Sequence, residues 1–108
     1  MTQGFRYVGD SDFHDGYVRT ISRNQDQLLV IVEGSSGKHY TVVFDGVLSV
    51  DSDTPQNMML YALRQGETGT VSLYHYDFQN WYGDEPEREE SKSYLRVIAR
   101  SFSVTQAD

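Results

Sequence analysis

The sequence predicts a mainly β protein: a small antiparallel sandwich or open barrel with one short helix, with an α+β fold as the alternative. Three observations lead to this prediction. Apolar and polar residues alternate with period two in four segments, whereas the helical period occurs in only one. Eight Tyr, five Phe and one Trp supply apolar bulk for a core. Neither a repeat nor a change of composition divides the chain, so we expect residues 1–108 to form one domain.

The first half of the chain predicts a hairpin preceded by a short strand. The short strand is expected at 17–23 and the first hairpin strand at 27–33. Positions 28–32 are all apolar, so we expect this strand to be buried on both faces. The Gly-Ser-Ser-Gly sequence at 34–37 favours a tight turn into a second hairpin strand at 39–44.

A helical insert is predicted at 56–64, where the apolar residues form a fair stripe. Asp53 or Thr54 is suited to capping the first turn, and Pro55 is suited to the first helical position. Gly66 is a plausible stop for the helix. We therefore expect one short helix between two groups of strands.

The remaining strands are predicted at 47–50, 70–78 and 94–104. The segment 84–90 between the last two contains five acids and a proline without an apolar residue, which indicates an exposed loop. The last strand is expected to be continuous and central in the sheet. Its two predicted faces are Leu95, Val97 and Ala99 against Tyr94, Ile98, Phe102 and Val104.

Composition excludes several classes of partner. Sixteen acids against nine bases give a net charge of −7, which disfavours nucleic acid and anionic lipid and favours either a basic partner or plain solubility. The absence of cysteine excludes disulfides and thiolate zinc sites and favours the cytoplasm. The N-terminus lacks a signal-peptide pattern, and no apolar run approaches the length of a membrane span, so no membrane association is expected.

No catalytic motif is visible, and we predict neither a catalytic residue nor a metal or cofactor. His14, His39 and His75 lie in separate predicted elements, without the spacing of a zinc site. The serines match neither the nucleophile-elbow pattern nor the serine-lysine pattern, and 34–38 is too short for a phosphate loop. An enzyme is not the expected function.

The densest polar cluster occupies 10–16 and contains three carboxylates and an imidazole. A calcium loop would need glycine where Asp15 stands and a carboxylate where Ile21 stands. We therefore interpret His14, Asp15 and Gly16 as a structural motif that shapes the entrance to the first strand.

Three segments, 13–21 (FHDGYVRTI), 28–32 (LLVIV) and 40–47 (YTVVFDGV), resemble a group of small bacterial β-rich domains of unknown function. Those domains begin with an aromatic residue or leucine followed by His-Asp, and some are described as immunity proteins of bacterial toxin systems. The resemblance covers about residues 13–50 and weakly the last strand. It implies an interaction role and supplies no catalytic residue.

Aromatic residues and acids meet in sequence around position 80, which gives the best candidate for a partner-binding surface. An apolar centre with a negative rim would suit a basic protein. The alternative is that the same aromatics fill the core face of the sheet. The candidate partner-binding residues are Tyr74, Tyr76, Trp81, Tyr82, Glu85, Glu87, Glu89 and Glu90.

Three functions remain open at this point. The first is a small interaction domain, immunity-like, that binds a basic partner. The second is a small-molecule-binding or catalytic barrel in which His14, Asp15 and His75 converge in a pocket. The third is a structural domain of a larger assembly.

Overall fold

The computed structural model describes residues 5–53, 58–80 and 94–107, and these form nine strands and one 3-10 turn. The strands are β1 (Phe5–Val8), β2 (Gly16–Asn24), β3 (Gln27–Glu33), β4 (His39–Asp45), β5 (Ser49–Asp53), β6 (Met59–Glu67), β7 (Tyr74–Asn80), β8 (Tyr94–Ala99) and β9 (Ser101–Ala107). The 3-10 turn spans Ser11–Phe13. The mainly β prediction is confirmed. Within the described ranges there is no helix that could cross a membrane.

The strands form two antiparallel sheets that meet at one corner. Between β2 and β6 only two residue pairs form, Gly16 with Leu60 and Tyr17 with Met59. Beyond this corner β6 pairs with β1, and β2 continues along β3. The first sheet therefore has the order β1-β6-β7-β8-β5, and the second sheet has the order β2-β3-β4-β9.

The core lies between the two sheets. Phe44 of β4 contacts Tyr76 and Phe78 of β7, with ring centroids 4.9 and 5.8 Å apart. On β3 the residues at 28, 30 and 32 are buried, whereas those at 29 and 31 are only half-buried. The expectation that β3 is buried on both faces is therefore wrong, because only one of its faces packs against the other sheet. The buried apolar residues are Phe13, Val18, Leu28, Val30, Val32, Tyr40, Val42, Phe44, Val47, Met58, Leu60, Leu63, Tyr76, Phe78, Leu95, Val97 and Ala99.

The predicted helix at 56–64 is wrong, because residues 59–64 of this segment belong to β6. Asp53 ends β5 and caps no helix, and Gly66 lies inside β6. Thr54 and Pro55 fall outside the described residues.

The apolar spacing explains this error. The register of β6 against β7 shifts between Leu60 and Ala62, which marks a bulge. The buried residues are consequently Met58, Leu60 and Leu63, a spacing of two and then three that imitates a helical stripe. Pairing with β1, β2 and β7 makes β6 central in the first sheet, and this long-range pairing outweighs the weak local preference.

The predicted last strand at 94–104 is two strands, and the chain turns between them at Arg100. β8 is central in the first sheet, as expected, but β9 is an edge strand of the second sheet. The backbone N–H of Arg100 donates to the carbonyl of Asp45 at 3.0 Å, which anchors the corner. Because of this corner, the residues that face the core have odd numbers on β8 and even numbers on β9. Phe102 and Val104 therefore pack against the same core as Ala99, and not on the opposite face.

Other boundaries differ by a few residues. Strand β1 is a strand that the sequence did not predict. Strand β7 begins at Tyr74, four residues later than predicted, because Thr68 Oγ1 bonds the carbonyl of Leu73 at 2.8 Å and Ser72 has a positive φ of 61°. Strand β5 starts at Ser49, since the backbone of Val47 bonds instead to Asp26.

Candidate functional site

Tyr76, one of the predicted partner-binding residues, is a core residue in the structure, with 0% of its surface exposed. Its ring lies between Phe44 and Phe102, at centroid distances of 4.9 and 5.2 Å. Its hydroxyl accepts a hydrogen bond from Gln65 Nε2 at 3.0 Å, and burial raises the pKa of this hydroxyl. The alternative interpretation, in which these aromatics fill the core, therefore holds for Tyr76 and for Phe78.

Tyr74 is half-buried and packs edge-on against Tyr76 at 6.3 Å. It begins β7, whereas Asn80 ends it. Six residue steps of extended chain separate these ends by about 20 Å. Tyr74 therefore lies at the opposite end of β7 from Asn80, the last described residue before the acidic segment. The other predicted partner-binding residues lie outside the described residues: Trp81, Tyr82, Glu85, Glu87, Glu89 and Glu90.

The His14-Asp15-Gly16 motif forms the corner between the two sheets through its backbone. The N–H of Asp15, at φ 66°, donates to the carbonyl of Leu60 at 3.0 Å. A side chain at Gly16 would collide with the carbonyl of Glu33, so only glycine fits there. His14 Nε2 lies 3.7 Å from Asp15 Oδ2, and the two side chains are 55% and 59% exposed. The side chains therefore face solvent, while the backbone joins the sheets.

Asp12, just before this corner, fastens the 3-10 turn to the β3–β4 hairpin. Its Oδ1 accepts from Ser35 Oγ at 2.9 Å and from the N–H of Ser36 at 3.0 Å. Its Oδ2 accepts from Ser36 Oγ at 2.6 Å and from the Tyr40 hydroxyl at 3.0 Å. Gly34 leaves room for this contact, since a side chain there would collide with Oδ2.

These donors stabilise the charged form of the carboxylate. The hydrogen bond from Ser36 leads the effects that lower the pKa of Asp12 from 3.8 to about 2. Burial together with donation to Asp12 raises the pKa of the Tyr40 hydroxyl to about 12. Asp12 lies in the polar cluster at 10–16, and the serines lie in the predicted turn at 34–37. Each element is visible in the sequence, but their contact depends on the fold.

Asp77 is the centre of a second polar cluster, on the outer face of the first sheet. Its carboxylate is only 9% exposed and accepts from Arg96 Nε at 2.7 Å and from Arg64 Nη2 at 3.3 Å. His75 Nδ1 lies 3.3 Å from Oδ2 of the same carboxylate. The strand register places these groups side by side, since Asp77 pairs with Arg64 on β6 and with Arg96 on β8. The sequence gives no local signal for this cluster.

The structure does not bring His14, Asp15 and His75 together. His75 lies opposite Gly66 on β6, whereas Asp15 bonds to Leu60 at the other end of that strand. Six residues of strand separate the two positions by about 20 Å. In the part of the chain that the structure describes, no group of three His, Asp or Glu side chains is arranged to hold a metal ion.

The two sheets leave an opening between β1 and β9, and two clefts lie along it. The first has a volume of about 570 Å³ and is lined by Arg6 of β1 and Phe102 of β9, together with Tyr74 and Arg100. The second has a volume of about 400 Å³ and continues along β9. It is lined by Gly9, Asp10, Tyr40, Phe102, Val104 and Gln106. Phe102 belongs to both clefts, so we treat them as one β1–β9 seam.

The seam has arginines at one end. Arg6 Nε donates to Gln65 Oε1 at 3.0 Å, and Gln65 in turn donates to the Tyr76 hydroxyl. The aliphatic stem of Arg100 packs against Gly46. Among the described residues, the arginines in ion pairs with carboxylates are Arg19, Arg64 and Arg96. The seam is thus a local basic site on an acidic chain.

Comparison with known proteins adds no relative to this description. No family model matches the chain, and no curated protein or solved structure shows significant similarity to it.

Proposed function

We propose that this protein is a small interaction domain, immunity-like in character, that binds a basic protein partner through an acidic edge of its first sheet. The observation that carries the proposal is the pairing of Asp53 with Tyr94. Tyr94 begins β8 four residues after the end of the acidic segment at 84–90, and Asp53 ends the edge strand β5. The first described residue after the acidic segment therefore pairs with an edge strand that also carries acids.

The distribution of charge supports this edge as the docking surface. Segment 84–90 has five acids and one base, and β5 adds Asp51 and Asp53 within five residues. A concentrated negative field speeds the association of a basic partner. Trp81, which precedes the acidic segment, is suited to be an apolar anchor.

The test uses the protein products of the genes next to this one, because a toxin encoded alongside would support the immunity-like role. Glu85, Glu87, Glu89 and Glu90 are replaced by glutamine, and association is followed by biolayer interferometry at several NaCl concentrations. We expect association to slow by about tenfold and its salt dependence to flatten. Trp81→Ala should instead speed dissociation, by an amount worth about 2 kcal/mol or more.

A matched control separates location from total charge. Glu89→Gln/Glu90→Gln removes two charges from the acidic segment. Asp26→Asn/Glu67→Gln removes two from exposed positions in the β2–β3 turn and at the end of β6. The first double variant should slow association more than the second. A genuine partner whose binding is indifferent to Trp81→Ala and to the four glutamine substitutions would refute the proposal.

A further inference from the structure

The β1–β9 seam lies between two edge strands. Among the described strands, β1 pairs only with β6 and β9 pairs only with β4. We propose that the seam binds an extended peptide, which adds as a strand between β1 and β9 and places its C-terminal carboxylate between Arg6 and Arg100. This mode of recognition uses backbone hydrogen bonds for affinity and side-chain pockets for specificity.

The directions of the two strands determine the orientation of the peptide. Arg6 shares the first cleft with Ser101, and Gly9 shares the second with Gln106. Strands β1 and β9 therefore run the same way along the seam. A single inserted strand can be antiparallel to both, which is the more stable pairing. In that orientation the C-terminus of the peptide reaches the end where Arg6 and Arg100 lie.

The floor of the seam suits a strand with alternating apolar side chains. Phe102 and Val104 point toward the core but remain half-buried, and Tyr74 is half-buried as well. Inward side chains of the peptide would cover these residues. From 101 to 106 an extended chain spans about 17 Å, so the seam fits five or six residues. Its clefts of about 570 and 400 Å³ are in the size range of ligand sites.

Charge complementarity favours a free carboxylate at one end and a basic group at the other. Two arginines line the first cleft, against one acid among its described lining residues, Glu67. Guanidinium groups bind carboxylates through paired hydrogen bonds. Asp10 lies at the far end of the seam, where the peptide begins. A lysine or a free amine at that end would face its carboxylate.

A second copy of this chain fits the seam less well than a peptide does. Strand β9 has no charged side chain in Ser101–Ala107, so its edge is open to pairing. In a β9–β9 dimer, however, the partner's β9 would arrive with β4 attached to its far edge. The opposing β1 would then obstruct that second strand. A single peptide strand avoids this obstruction.

The experiment uses a fluorescein-labelled hexapeptide that starts with lysine, alternates threonine and valine, and ends in valine with a free carboxylate. Fluorescence anisotropy should show saturable binding, and the C-terminal amide of the same peptide should bind about tenfold more weakly. Arg6→Gln and Arg100→Gln should each lower the affinity for the peptide with the free carboxylate. The affinity for the C-terminal amide should stay nearly unchanged. Arg23→Gln removes an equal charge from the exposed end of β2 and should have no effect.

Further measurements test the strand pairing itself. A peptide methylated at alternate backbone nitrogens should lose binding, because it cannot form the ladder of hydrogen bonds. Amide resonances of 101–106 and of β1 should shift on titration with the unmethylated acid. Equal binding of acid and amide, shifts confined to other strands, or no binding at millimolar peptide would each overturn the proposal. A dimer in sedimentation whose protected amides lie on β9 would also overturn it.

Discussion

Two aspartates, Asp12 and Asp77, each gather several hydrogen-bond donors, but the donors differ in charge. Asp12 accepts from neutral groups, the hydroxyls of Ser35, Ser36 and Tyr40 and one backbone N–H. Asp77 accepts from the guanidinium groups of Arg64 and Arg96. The exposed serine hydroxyls can turn to water when Asp12 is lost, whereas the arginines stay charged when Asp77 is lost. The groups that lose their acceptor therefore determine how much unfolding free energy is lost when a carboxylate is removed.

The largest expected effect is that of Asp77→Ala. This change removes the carboxylate to which Arg64, whose side chain is 28% exposed, donates at 3.3 Å. Breaking a buried ion pair costs about 3–5 kcal/mol, and the exposure of Arg96 lowers this to about 2–4 kcal/mol of unfolding free energy. Urea denaturation of both proteins measures the difference. Asp77→Asn, which keeps the shape of the side chain, is the control. If Asp77→Asn lowers the unfolding free energy by less than Asp12→Asn does, the comparison is reversed.

The next effect separates the two arginines on the same carboxylate. Arg64→Met should cost about 1–2 kcal/mol, because this side chain is mostly buried. Arg96→Met should cost less than about 1 kcal/mol, since Arg96 is 55% exposed. In urea denaturation we expect Arg64→Met to lower the unfolding free energy more than Arg96→Met does. Equal losses would show that exposure does not determine the strength of these pairs.

Asp12 should make a smaller contribution, which depends on pH. Its pKa is lowered from 3.8 to about 2, so its stabilising effect is complete above about pH 4 and is lost as pH falls toward 2. Asp12→Asn should lower the melting temperature at pH 7 and remove this part of the acid-induced loss. Thermal melts between pH 2 and 7 test it. If Asp12→Asn loses as much melting temperature between pH 4 and pH 2 as the unmodified protein does, other carboxylates control the acid-induced loss.

The smallest effect is expected for Ser35→Ala. It removes one of the hydrogen bonds to Asp12, and Ser36 and Tyr40 remain in place. We expect a shift in melting temperature below about 4 °C, the lower end of the range that a small domain shows per kcal/mol. A larger shift would indicate that the serines of the turn act as one cooperative unit with Asp12.

Local pattern was sufficient for part of the candidate sites. The polar cluster at 10–16, with Gly16, and the glycine-serine turn at 34–37 are both visible in the sequence. Their joint role is not visible there, because the hydrogen bonds of Asp12 span 23 to 28 residues along the chain. The Asp77 cluster and the β1–β9 seam depend on strand order, which no local pattern contains.

Local sequence pattern is sufficient to specify the mainly β class and the β3–β4 hairpin, because period-two alternation and a tight turn are local properties. Tertiary structure decided the rest. The segment with helix-like apolar spacing forms strand β6, because it pairs with other strands on both edges. The bulge near Leu60 shifts which of its residues face the core and so produces that spacing. Because the chain turns at Arg100, Phe102 faces the core and β9 is an edge strand. Both outcomes depend on which strands become neighbours, and that is set by packing across the whole molecule.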